Sequence, residues 1–129
     1  MSICFRPYVH DQIPDIWMVP GAMRDDRDRF ELSVSNANGV DLLCMLGLAP
    51  EPGGGPVSIE HFAGLVTGAA RRHLVHRSPA LATVEDVEKG RLTVVLVGRP
   101  EGYIERRLGD LMTLIQQSRT VGATHFGWG

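Results

Sequence analysis

The chain has 129 residues, a length typical of one domain, and its 43% hydrophobic and 22% charged residues are ordinary for a soluble globular protein. Its formal net charge of −2 gives no general electrostatic attraction to nucleic acid or to anionic lipid. No stretch approaches the roughly 20 apolar residues that span a bilayer, and the N-terminus lacks the pattern of a signal peptide. We therefore expect a cytoplasmic protein without a nucleic-acid or membrane partner.

Two cysteines, Cys4 and Cys44, are too few for a disulfide framework at this length, and they form no CxxC pair. In a cytoplasmic chain they are expected to be free thiols. A zinc ribbon or finger is excluded by the same count. The sequence predicts no metal site and no cofactor.

The N-terminal segment alternates over residues 2–10, which is the pattern of a strand. Pro7 has no N–H to donate, which favours a strand at the edge of a sheet. Residues 11–23 show no clean period and predict an irregular segment laid over the core. We expect a single domain, 1–129, with an N-terminal edge strand and irregular segment in 1–28 and an α/β core in 29–129.

The middle of the chain alternates again over residues 29–34, which predicts a half-buried strand. Asn36 or Asn38 is expected to cap the helix that follows, and Gly47 to end it. Residues 51–56 contain three glycines and predict a flexible loop. A second helix is expected from Ser58 to near residue 77, followed by a short helical turn over 84–89.

The last third of the chain is typical of a strand–helix–strand unit. Residues 92–97 form a nearly continuous apolar run, which suits a strand buried on both faces. A helical apolar stripe and a short strand-like run at 124–128 follow; the stripe consists of Ile104, Leu108, Leu111, Met112 and Ile115. Such a crossover joins parallel strands. The predicted fold class is α/β: a single sheet of about four strands, mostly parallel with a C-terminal βαβ unit, packed by about three helices.

Two stretches resemble a group of small bacterial proteins that have no assigned activity. Residues 32–48 carry a Ser-Asn-Ala-Asn…Leu-Leu…Leu-Gly-Leu pattern, and residues 98–103 read Gly-Arg-Pro-Glu-Gly-Tyr. Arg107-Leu108 and the terminal Trp128-Gly129 complete the resemblance. The resemblance implies kinship and a fold but no function. It also implies that the first thirty residues are an addition to shorter members of the group.

The strongest candidate for a ligand site lies in the loops after strands 29–34 and 92–97. If these strands run parallel, both loops lie at one sheet edge, and each opens a helix whose N–H groups can bind an anion. Arginine suits bidentate contact with carboxylate or phosphate. The expected ligand or anion-binding residues are Asn36, Asn38, Arg99, Tyr103 and Arg106. Alternatively, the asparagines only cap, Arg99 is solvated, and Tyr103 only packs.

No catalytic motif is present, so the sequence does not identify an enzyme. Large apolar side chains in poorly periodic segments or at a chain end, Trp17, Met18, Met23 and Trp128, are either core residues or an exposed interface. The first expectation is a binding protein that acts as a protein-interaction module or self-associates as a homo-oligomer. The alternative is a small-molecule or anion-binding protein, or an enzyme, that uses the two loops.

Overall fold

The computed structural model describes the chain with several gaps; the described residues are 2–12, 15–18, 20, 30–49, 54–73, 78–82, 84–88, 91–96 and 98–129. For 11–12, 15–18, 84–88 and 91–96 the description covers the backbone alone. The elements in chain order are β1 (Ser2–Gln12), β2 (Asp15–Met18), β3 (Leu32–Ser35), α1 (Asn36–Met45), β4 (Gly54–Ser58), α2 (Ile59–His73), β5 (Val84–Glu88), β6 (Arg91–Leu96), α3 (Tyr103–Thr120) and β7 (His125–Trp128).

The main sheet has five strands, and every pairing in it is antiparallel. Its order is β2-β1-β7-β4, and β3 also pairs with β1. Phe5 of β1 lies opposite Leu32 of β3 and opposite Trp128 of β7. The N-terminal strand is therefore central, and the prediction of an edge strand is wrong. Both ends of the described chain meet in this sheet.

Pro7 is tolerated in the central strand because of the register. Cys4 exchanges backbone hydrogen bonds with Gly129, at 2.9 and 3.1 Å, so even-numbered residues of β1 turn their N–H groups towards β7. Pro7 has the opposite parity and turns its nitrogen away from β7. On that side the β3 pairing has ended at Phe5, so the missing N–H interrupts no ladder with β3.

One face of the sheet carries the core. Ile3, Phe5 and Pro7 are buried, as the alternation predicts, while Arg6 and Tyr8 on the other face are half-buried. Phe62 of α2 stacks on Phe126 of β7 at 4.9 Å between ring centroids, and lies 6.2 Å from the ring of Phe5. The apolar stripe of α3 is confirmed: Ile104, Leu108, Leu111 and Ile115 are at most 1% exposed, and Met112 packs against the core. Helices α1, α2 and α3 all contribute buried side chains to this core.

Two helix boundaries were predicted for the right reason. Ser58 caps α2, since its hydroxyl accepts the His61 N–H at 3.2 Å. Gly47 has a φ of +73° and ends α1. Leu48 N–H donates to Leu43 O at 2.9 Å, which is the 6→1 hydrogen bond of a Schellman motif. The capping role predicted for Asn36 or Asn38 is wrong, because α1 begins at Asn36 and no side-chain bond caps it.

The predicted parallel βαβ unit is wrong. β6 pairs with β5, antiparallel, in a separate two-stranded sheet, whereas β7 pairs antiparallel with β1 and β4. A continuous apolar run is typical of a buried parallel strand, but it does not specify the partner. The predicted burial of the β6 side chains on both faces concerns side chains that lie outside the described part of the structure.

The segment before β6 is also a strand, where the sequence predicted a helical turn. β5 and β6 are only two residues apart in the sequence, Lys89 and Gly90, the spacing of a tight hairpin. Similarly, β4 occupies part of the predicted flexible loop at 51–56.

Cys4 and Cys44 are both free, which confirms the thiol prediction. Among the described helices, none combines the length and the apolar character needed to cross a bilayer.

Candidate functional site

The structure brings together two of the five predicted anion-binding residues, Asn38 and Arg99, but Arg99 is already paired with an acid. The Arg99 side chain is 7% exposed, and its Nη1 donates to Asp41 Oδ2 at 2.8 Å and to Asn38 Oδ1 at 3.4 Å. Asp41 therefore compensates the charge that the sequence assigned to a bound anion. Asn36 and Arg106 are exposed and share none of these contacts.

The start of α3 is also less open to an anion than its sequence suggests. Tyr103 N–H donates to Pro100 O at 3.2 Å, and Ile104 N–H donates to the Ser78 hydroxyl at 3.4 Å. The Tyr103 ring faces the Arg107 guanidinium, with 5.0 Å from Cζ to the ring centroid. The premise of the prediction was that strands 29–34 and 92–97 run parallel in one sheet; this is wrong, because β3 and β6 belong to different sheets. Anion binding by the five residues stays a prediction.

Of the four predicted interface residues, the structure describes the side chain of Trp128 alone. Trp17 and Met18 lie in β2, but their side chains, like the whole of Met23, lie outside the described residues. Trp128 is 7% exposed and packs in the core, as the first of the two interpretations, core packing, predicted for it.

Trp128 also lines a cleft beside β1, β4 and β7, and this cleft is a candidate site. It has a volume of about 330 Å³. We call it the Trp128 cleft, and its lining residues are Arg6, Tyr8, Gly54, Gly55, Pro56, Gly127, Trp128 and Gly129. Strands β1, β7 and β4 supply this lining, so residues from both ends and the middle of the sequence form one concave surface.

An irregularity in β4 shapes the cleft. Gly54 lies opposite Trp128 and Val57 lies opposite Phe126, so β4 has one more residue than β7 over this interval. The extra residue is a β-bulge, a feature that bends a strand locally and is common beside binding sites. Gly55 has a φ of +87°, a conformation that favours glycine, and the bond to Pro56 is cis.

Two glycines allow aromatic rings to lie directly on the backbone. A Cβ added to Gly54 would lie 2.4 Å from Nε1 of Trp128, so only glycine leaves room for the indole. A Cβ added to Gly127 would lie 3.0 Å from Cε2 of Tyr8. Each ring therefore lies against glycine backbone, Trp128 on the core face of the sheet and Tyr8 on the opposite face.

The indole nitrogen of Trp128 is a buried donor without an acceptor among the described residues. Buried polar atoms nearly always have a hydrogen-bond partner, and leaving one unpaired costs about 1–3 kcal/mol. Gly54, which the indole nitrogen touches, also lines the cleft. Trp128 lies opposite the buried Phe5, so its indole is on the core face of the sheet, whereas Arg6 and Tyr8 are on the other face.

Arg6 supplies the positive charge of the cleft. Its Nε donates to Glu31 Oε2, and its side chain is 44% exposed. The hydrogen bond to Glu31, opposed in part by desolvation, raises the pKa of Arg6, so the guanidinium stays charged. Glu31 fixes the orientation of the group from one side but does not line the cleft.

A larger groove of about 500 Å³ lies between the end of α1 and α2, lined by Cys44, Met45, Leu46, Gly47, Gly64, Leu65, Gly68 and Arg72. Its cation is the exposed Arg72, whose Nη2 donates to Met45 O at 2.8 Å. The other side chains that line it are apolar, apart from the exposed Cys44 thiol. The Trp128 cleft, with two polar side chains and a β-bulge in its lining, is therefore the stronger candidate.

The sequence did not predict this cleft, although two features of its lining are visible in the sequence. The alternation of residues 2–10 places Arg6 and Tyr8 on one face, and the glycines at 53–55 stand out in the sequence. Nothing local, however, indicates that β4 and β7 pair and bring Gly54 to Trp128. Among the described residues, no group of three or more His, Cys, Asp and Glu could hold a metal ion.

Comparison of the chain with protein-family models, with curated proteins and with solved structures finds no match. The resemblance to small bacterial proteins stays a prediction.

Proposed function

We propose that this protein binds a small molecule in the Trp128 cleft. The observation that carries the proposal is the cleft itself, in which the half-buried Arg6 and Tyr8 line a concave surface together with the glycines of β4 and β7. A volume of about 330 Å³ is at the lower end of the range of ligand pockets, about 300–1,000 Å³, so the ligand is small. We place this activity in the cytoplasm, where two free thiols are stable.

Nuclear magnetic resonance on the ¹⁵N-labelled chain tests the proposal. The probes are small aromatic fragments that carry acid, amide or amine groups, and the readout is the indole N–H signal of Trp128. The Trp17→Phe variant assigns that signal, because the chain has two tryptophans. Binding should move the Trp128 signal together with the amides of Gly55 and Gly127.

A matched pair of variants locates the binding. Gly129 is exposed, lines the cleft and lies on the same face of the sheet as Arg6, so Gly129→Leu fills the cavity from its rim. Gly64 is exposed on α2, with no atom within 4 Å of an added Cβ, so Gly64→Leu is the control. Gly129→Leu should abolish the shifts and Gly64→Leu should leave them unchanged. If no fragment moves the Trp128 signal, the proposal fails.

A protein-interaction or self-association role stays a separate prediction. Three of the four residues on which it was based, Trp17, Met18 and Met23, have no described side chain, so no described contact favours it. Size-exclusion chromatography with light scattering tests it directly, since a single mass equal to that of one chain at all concentrations would contradict self-association.

A further inference from the structure

We draw no further inference here: the strongest candidate, the groove of about 500 Å³ between the end of α1 and α2, is lined by two glycines of α2, Gly64 and Gly68, and by the exposed Cys44 thiol, and nothing in the described part of the structure shows what covers it.

Discussion

Arg99 connects α1 to the segment that precedes α3. Its backbone N–H and C=O exchange hydrogen bonds with Leu81, both at 2.8 Å, and its side chain reaches Asp41 and Asn38 on α1. A guanidinium that is 7% exposed has lost most of its hydration, so its ionic partner matters more than in a surface pair. The residue that the sequence indicated as a ligand contact thus ties two parts of the fold together.

The Arg99–Asp41 pair can be tested against a solvated pair in the same chain. Asp41→Asn should lower the free energy of unfolding by about 1–3 kcal/mol, because it leaves a buried guanidinium without its anion. Asp110→Asn is the control, since Asp110 pairs at 2.9 Å with Arg107, which is 30% exposed, and should cost less than about 1 kcal/mol. Urea melts monitored by circular dichroism measure both. If the two variants lost equal free energy of unfolding, the buried Arg99–Asp41 pair would contribute no more to stability than the exposed pair.

Glu105 is a second residue whose charged side chain connects two parts of the fold. It accepts the backbone N–H of Ser78 at 2.6 Å and the Ser78 hydroxyl at 2.7 Å, and His73 Nδ1 lies 3.4 Å away. Desolvation opposes ionisation, but the hydrogen bonds from Ser78 outweigh it and hold the pKa of Glu105 at about 2, against an ordinary value of 4.5. The contact fastens residue 78 to the first turn of α3.

This lowered pKa predicts how stability depends on pH. The folded state favours the ionised carboxylate, so the contribution of Glu105 is fully present above pH 4.5 and is lost as the pH falls towards 2. Glu105→Gln should cost about 1 kcal/mol at pH 7, and the difference from the unaltered chain should shrink between pH 5 and pH 2. Urea melts at several pH values measure it, with Glu101→Gln, an exposed position, as the control. A difference that stays constant with pH would contradict the assignment.

At the scale of elements, β4 and β7 depend on each other through the contact between Gly54 and Trp128. A side chain at position 54 would overlap the indole at 2.4 Å, and the indole belongs to the core. The pairing of these two strands is therefore coupled to the packing behind it. The same contact forms one wall of the Trp128 cleft.

Two alanine substitutions separate this contact from the general effect of removing glycine. Gly54→Ala should destabilise the protein by about 1–3 kcal/mol, because the added methyl group must displace a packed indole. Gly64→Ala, inside α2 with open space around its Cβ, should stabilise it by about 0.5–1 kcal/mol through helix propensity. Thermal and urea melts measure both changes. A Gly54→Ala variant as stable as the original would show that Trp128 does not lie on Gly54.

The elements themselves were largely predictable because their signals are local. The stripe from Ile104 to Ile115, the stop at Gly47 and the cap at Ser58 each depend on residues within a few positions of one another. Strand pairing depends on distant residues. The alternation in β1 predicted a strand, but nothing near Pro7 indicates that both β3 and β7 flank it. Local patterns therefore predicted the helices and most strands, and failed on sheet order and direction.

The candidate sites show the same difference between local patterns, which the sequence reveals, and contacts between distant residues, which it does not. Asn38 and Arg99 meet although the parallel sheet that was expected to unite them does not exist, because α1 and the start of α3 are brought together by core packing instead. The Trp128 cleft was not predictable, since Arg6, Gly54 and Trp128 are far apart in the sequence and meet only when three antiparallel strands pair.

At the scale of the whole molecule, the two ends of the chain hold the sheet together. β1 pairs with β2, β3 and β7, so its removal would leave β2 and β3 without a partner among the described strands and one edge of β7 unpaired. Cys4 and Gly129 add two further backbone hydrogen bonds between the ends. This arrangement conflicts with the expectation that the first thirty residues are an addition to a core formed by residues 29–129.

Deleting residues 1–8 distinguishes the two views. If β1 is central, the shortened chain loses Ile3 and Phe5 from the core and the ladders to β3 and β7, and it should show no cooperative urea transition. Cys4→Ser is the control, because it alters a half-buried side chain of the same strand but keeps every backbone hydrogen bond, and its midpoint should change little. Far-ultraviolet circular dichroism and tryptophan fluorescence during unfolding report on both variants. A shortened chain that unfolds cooperatively at the original midpoint would mean that residues 29–129 fold alone and that β1 is peripheral. The expected loss would instead mean that the cleft and the core depend on the same strand, since Arg6 and Tyr8 line the cleft from the backbone that carries Ile3 and Phe5.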